Sequence, residues 1–330
     1  MNTTPWNAAA LAEAEEKKVI QRDANFTGWI LLALVAGQLV VGTLLGVASV
    51  FKVLDFSLDD YGLGSVGYCL FNMLQYILYV GVPVLVVALC ARREANPFPT
   101  RRVPRGTYGI AVFGGMAIAV LANYISGYVM QFFSALGVPY PEMPDRYDPT
   151  LLNLALNLIG TALLPALLEE MAMRGYILGS LQKHGKAMAV VVSSVLFGLI
   201  HGNLLQLPFA FILGLILGWL TVQTGSIWPA VVFHFANNAC STVLGWAEQF
   251  IDGDGPTVLS FLVFCVLGTA VCLAMFFGKP QWKDDLLRPM GNGASVLPLS
   301  KRVKAIFTAP VFLVGGIVWI LLLIVASLSL

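Results

Sequence analysis

The chain has 330 residues, 58% of them hydrophobic and only 11% charged, with a formal net charge of +1. Soluble globular domains carry about 25% charged residues, so this balance excludes a soluble globular enzyme. The net charge says nothing about partners, and no basic tract points to nucleic acid.

In chain order, Met1 to Asn25 is polar and contains EAEEKK. It lacks the basic start and short apolar core of a cleavable signal peptide. A helix over 5–22 is expected there, as a cytosolic lead-in to a first membrane helix that acts as an uncleaved signal anchor. Nine candidate spans follow, at about 26–51, 66–91, 107–136, 150–181, 187–203, 206–224, 226–246, 257–277 and 305–329. The fold class is therefore all-α: a polytopic transmembrane helical bundle of about eight to nine spans. The lipid bilayer is its first partner, and the cell membrane its place. A homo-oligomer is left open.

Very short turns at Gly202-Asn203 and Gly225-Ser226 separate the fifth, sixth and seventh spans, which predicts that these three pack as antiparallel neighbours. Loop charge sets the orientation. Arg92, Arg93, Arg101, Arg102 and Arg105 follow the second span; Lys183 and Lys186 follow the fourth; Lys279, Lys283, Arg288, Lys301, Arg302 and Lys304 follow the eighth. The alternate loops are acidic, with Asp55, Asp59 and Asp60, then Glu142, Asp145 and Asp148, then Glu248, Asp252 and Asp254. This places the N-terminus in the cytoplasm.

Two GxxxG spacings, Gly42/Gly46 and Gly214/Gly218, allow close helix packing, expected within the chain rather than between chains. The segment 278–304 holds Gly, Pro and Ser and reads as a cytosolic linker to a peripheral last helix. The five cysteines, Cys69, Cys90, Cys240, Cys265 and Cys272, lie in or beside apolar runs and read as small apolar fillers.

Charged and polar groups inside apolar runs are expensive and tend to be functional. The run LLPALLEEMAMRGYILGSLQKHGKAMAVVVSSVLFGLIHGN, from Leu163 to Asn203, carries Glu169, Glu170, Arg174 and His201. Glu170 and Arg174 are four apart, stack on one helix face and are expected to pair. Glu169 points about 100° away and is free to face a cavity. At about 1.5 Å per residue, Glu169 lies about 18 Å, His201 about 21 Å and His234 about 12 Å from the cytosolic ends of their helices, within one layer of a ~30 Å hydrocarbon core. His234 and Asn238 share a helix face and could offer two donors to one oxygen. A single intramembrane histidine reads equally well as an interhelical hydrogen bond; the group together at one depth reads as a catalytic core of central helices. His184, in the basic hinge, receives no role.

The ordered set Glu169-Glu170-x-x-x-Arg174, Phe197-x-x-x-His201 and His234-x-x-x-Asn238 resembles the signature of the CPBP family, the CAAX-type prenyl endopeptidases and bacteriocin-processing or immunity (Abi) proteins. The resemblance covers roughly 107–246, and divides the chain into a lead-in (1–25), accessory helices (26–106), a catalytic membrane core (107–246) and C-terminal helices (247–330). It implies an intramembrane glutamic endopeptidase acting on a membrane-associated peptide or protein, without a cofactor. In that reading Glu169 activates a water with help from His201, His234 and Asn238 stabilise the oxyanion, and Glu170 and Arg174 support the site.

Three alternatives use the same residues. A zinc site could take Glu169, His201 and His234 as ligands, although HExxH is absent. A proton-coupled transporter could use Glu and His relays, but no repeated halves are visible. A non-catalytic immunity protein would have less need of the intact set. Ser193 and Ser194 lie two to three turns below His201 and are poorly placed as nucleophiles. Cys240 faces largely away from Asn238. Asp252-Gly253-Asp254-Gly255 lacks the later Glu of a calcium loop and reads as a turn.

Overall fold

The computed structural model describes residues 5–90, 98–137, 148–251, 255–278, 286, 288–291 and 295–328. Ten helices are formed among the described residues: α1 Pro5–Val50, α2 Gly64–Cys90, α3 Arg105–Ala135, α4 Leu151–His184, α5 Lys186–Ile200, α6 Leu207–Thr224, α7 Trp228–Ala247, α8 Val258–Gly278, α9 Leu299–Phe307 and α10 Pro310–Leu328. The only extended pairing among the described residues is an isolated bridge, Thr100 to Ser226. Leu39, Val40 and Leu44 on α1, Leu121 and Ile125 on α3, Leu262 and Val266 on α8, and Ile317 and Leu321 on α10 are exposed. A belt of exposed large aliphatic side chains is what a lipid-facing surface requires.

Seven of these helices are long and apolar enough to cross a membrane: α1, α2, α3, α4, α6, α8 and α10. The two expected spans that fall short are α5 and α7. α5 has 15 residues, about 22 Å at 1.5 Å per residue. α7 is 20 residues long but interrupts its apolar run with His234, Asn237 and Asn238. Both shortfalls lie where the sequence put the chemistry.

α5, α6 and α7 pack as sequential neighbours, with α4 against α5 and α7, and α3 behind α6 and α7. The turns between them use left-handed glycines, Gly202 (φ 62°) and Gly225 (φ 67°). A Cβ on Gly214 would sit 3.0 Å from the Ser194 backbone, and one on Gly218 3.1 Å from Val190. That GxxxG pair does serve close packing of α6 on α5. Gly42 and Gly46 do not: nothing lies within 4 Å of a Cβ at either, so their spacing makes no helix contact among the described residues.

Two further expectations are corrected. The lead-in and first span form one continuous helix, with no break at the polar Asp23-Ala24-Asn25, because those side chains are used. Asp23 accepts from His184 at 2.7 Å and pairs with Lys183 at 2.9 Å. Arg302 Nη1 donates to the His184 carbonyl at 2.6 Å. His184 therefore ties α1, the α4–α5 hinge and α9 together. The last helix is also not peripheral. α10 packs along α1, with Phe312 and Trp319 buried and Trp319 Nε1 donating to the Leu31 carbonyl at 3.1 Å. Gly28 makes this possible, since a Cβ there would lie 2.4 Å from the Val311–Phe312 backbone.

Basic loop residues gather at one end, where Asp23 and Glu13 of α1 pair with Lys183 and Lys301. Lys183, Lys186, Arg101 and Lys304 lie at one end, and Asp55, Asp59, Asp60, Asp148 and Glu248 lie in loops at or beside the other. Arg92, Arg93, Glu142, Asp145, Lys279, Lys283 and the Asp252-Gly253-Asp254 turn lie outside the described residues.

Candidate active site

Glu169 and Glu170 end a regular stretch of α4, and the helix widens into a π turn over Met171–Leu178 directly after them. A second π segment, Leu158–Leu163, precedes them. Such widenings recur at functional sites because they rotate side chains out of the regular α register. The two carboxylates diverge as their 100° separation requires.

Glu170 turns into protein and is fully buried with Arg174. Arg174 Nη1 donates to Glu170 Oε1 at 2.9 Å, as the four-residue spacing predicted. His234 Nδ1 lies 3.0 Å from the same oxygen, a contact across helices that spacing could not reveal. Arg174 Nη2 donates to the Gly214 carbonyl at 3.1 Å, and its guanidinium lies 4.4 Å from the centroid of the Phe197 ring. The missing side chain of Gly214 lets the same turn of α6 close on Ser194 of α5. A buried cation is tolerated here through an ion pair, a carbonyl and an aromatic face.

Phe197 has a second task. Its ring stands edge-on to both imidazoles, 4.8 Å from His201 and 5.8 Å from His234. It wedges the two histidines apart and orients them, which explains why it stands four residues before His201. His201 caps α5, and its Nδ1 lies 2.6 Å from the Phe197 carbonyl. A carbonyl can only accept, so Nδ1 carries the proton and a neutral ring turns a lone pair on Nε2 outward.

Glu169 faces a cavity of about 500 Å³ and its side chain keeps 14% exposure. Glu169, His201, His234 and Asn238 all line that cavity, with Asn72, Gln75, Tyr76 and Thr161 among its polar walls. Tyr76 Oη donates to Glu169 Oε1 at 2.7 Å. Glu169 Oε2 is 3.9 Å from His234 Nε2 and is buried without a hydrogen-bond partner among the described residues. Asn238 donates to the Thr161 carbonyl at 3.3 Å and accepts from Asn237 Nδ2 at 3.1 Å. Its position is thus set by α4 as well as by α7.

A second cavity of about 500 Å³ lies on the other side of Glu169 and His201, walled by Leu34, Val41 and Leu45 of α1 and by Trp319 of α10. Among the described residues, no three His, Cys, Asp or Glu side chains converge as a metal-binding group. Ser193 and Ser194 are buried and both donate to the Val190 carbonyl, at 3.1 and 2.6 Å, which removes them as nucleophiles. Tyr76 was missed by sequence reading, because a tyrosine in an apolar span gives no signal until its partner is known.

Residues 151–240 match the family model described as Type II CAAX prenyl endopeptidase Rce1-like. This is a narrower stretch than the resemblance suggested, and it contains Glu169, Glu170, Arg174, His201, His234 and Asn238. The chain is also 24% identical over 167 residues to a protein of Bacillus subtilis (strain 168) named "Putative membrane peptidase YdiL", an alignment covering 49% of this chain and 68% of that one. No solved structure is a significant match.

Proposed function

We propose, on the likeness of residues 151–240 to the Rce1-like family model, that this chain is an intramembrane endopeptidase that cleaves a membrane-associated peptide or protein by a carboxylate-activated water. The observation that carries this reading is the convergence of Glu169, His201, His234 and Asn238 on one cavity. Glu169 lines it with one oxygen, Oε2, that has no hydrogen-bond partner among the described residues.

In the proposed reaction the His201 Nε2 lone pair and Glu169 hold a water between them. Glu169 takes a proton from it while the water oxygen adds to the scissile carbonyl carbon. Negative charge moves to the carbonyl oxygen, where the Asn238 amide and His234 Nε2–H donate to it. The C–N bond then breaks, and the proton held by Glu169 passes to the departing amine, leaving a carboxyl and an amine end. The base is regenerated without any other reactant.

His234 can donate from Nε2 only as the imidazolium, because its Nδ1–H is directed at Glu170. Glu170 and Arg174 therefore act by holding His234.

The basic end of the bundle is proposed to face the cytoplasm. The test of function is a comparison of membrane peptides from cells carrying the wild-type protein and cells carrying Glu169→Ala. Specific peptides should accumulate uncut in the variant. Identical peptide populations, with both proteins present at equal levels, would refute the endopeptidase reading.

A further inference from the structure

Tyr76 lies outside the matched segment 151–240, on a helix that carries none of the motif residues, yet it makes the hydrogen bond that Glu169 accepts. Three close approaches at glycines, one to backbone and two to side chains, fix where α2 runs. A Cβ on Gly37 of α1 would lie 2.6 Å from the Tyr79 carbonyl oxygen. One on Gly160 of α4 would lie 2.9 Å from Met73, and one on Gly81 of α2 itself 3.3 Å from Leu168 of α4. These contacts bracket Tyr76 on both sides along α2 and press it against the helix that carries Glu169. α2 widens into a π turn over Ile77–Gly81 immediately after Tyr76, the same device that follows Glu170 in α4. The Tyr76 ring is further held edge-on against Tyr79, with centroids 5.1 Å apart.

The consequence is an asymmetry between the two oxygens of one carboxylate. An ionised carboxylate only accepts, so the phenol is the donor in the 2.7 Å contact with Oε1. Oε2 is left with His234 Nε2 at 3.9 Å and no hydrogen bond among the described residues. A hydrogen bond to one oxygen locks the carboxylate against rotation about its last torsion, which is otherwise broad. The other oxygen, Oε2, stays buried and unpartnered among the described residues. We infer that Tyr76 is a positioning residue for Glu169, holding Oε1 and so fixing the rotation of the carboxylate that acts as the base. This rests on the reading of Glu169 as the base, and it adds a residue from the accessory helices to the working site.

The test is Tyr76→Phe, which keeps the ring, its packing on Tyr79 and the helix, and deletes one hydroxyl. Purified full-length protein in proteoliposomes would be assayed with an internally quenched peptide, selected from a lipid-anchored library by wild-type cleavage. Loss of one charge-assisted hydrogen bond from a positioning role should lower kcat about tenfold to a hundredfold. KM should stay within about twofold, because the hydroxyl orients the base rather than binding substrate. Melting temperature should not change measurably. In a Glu169→Gln background, where the base is gone, Tyr76→Phe should have no further effect on residual turnover.

Wild-type kcat in Tyr76→Phe, with Glu169→Gln inactive, overturns the role of Tyr76 and leaves the base reading standing. So does a fall in activity that appears wholly in KM, or one matched by a lost melting temperature, since either assigns the hydroxyl to binding or to structure. Full turnover by Glu169→Gln overturns the base reading itself, and with it this inference.

Discussion

Glu169 and Glu170 are adjacent in sequence, and isosteric replacement of each should give opposite phenotypes. Glu170→Gln removes a charge that two groups depend on: Arg174 at 2.9 Å and His234 at 3.0 Å, both directed at Oε1. Arg174 is fully buried and would keep only the Gly214 carbonyl and the Phe197 face. Stranding a buried charge costs about 3–5 kcal/mol. At about 2–4 °C per kcal/mol for chains of a few hundred residues, the melting temperature should fall by about 6–20 °C. Glu169→Gln is different. Its carboxylate is partly open to the cavity, its Tyr76 contact survives because an amide oxygen accepts equally well, and removing its charge relieves repulsion from Glu170. Its stability should stay within about 1 kcal/mol of wild type while turnover is abolished. The assay pairs fluorescence-detected thermal unfolding in one detergent with peptide cleavage in proteoliposomes. Equal loss of stability in both variants would refute the division of labour between the two glutamates.

Asn238→Ala should lower kcat by roughly 10²–10³ with KM little changed, as loss of one oxyanion donor does. Asn238→Asp should be no better, and the losses in Asn238→Ala and His234→Ala should be less than additive; a raised KM with normal kcat would move Asn238 to substrate binding. Exhaustive chelation should leave activity intact; stoichiometric zinc whose removal reversibly abolishes turnover would favour a metalloenzyme using Glu169, His201 and His234. Gly28→Leu should destabilise the α1–α10 contact, whereas Gly42→Ala should be nearly silent in thermal unfolding, because one Cβ meets backbone and the other meets nothing. Single-cysteine labelling in intact cells, after native cysteines are removed, should find position 183 protected and position 248 accessible; the reverse would invert the orientation.

What was legible in the residues was what local rules carry. Hydropathy gave the helices and nearly their number, and failed at α5 and α7, where polar site residues shorten or interrupt the apolar run. The Glu170–Arg174 pair was legible because four residues make one helical turn and a bit more. Gly214 and Gly218 had their stated use, but the same spacing at Gly42 and Gly46 did not, since a permissive surface acts only when another helix is brought to it. The close approach at Gly28 carried no such pattern, and with it went the placement of α10.

The sequence by itself determined that this is a membrane-embedded helical bundle with costly polar groups in its central helices, because burial in lipid makes every such group conspicuous. Only the tertiary structure decided which groups meet. His234 joins Glu170, Phe197 stands between two histidines and beneath Arg174, and Tyr76 reaches Glu169 from a helix far away in the chain. Helical periodicity fixes which residues share a face, but not which face of another helix will be pressed against it. That depends on crossing points, π turns and missing side chains on both partners together.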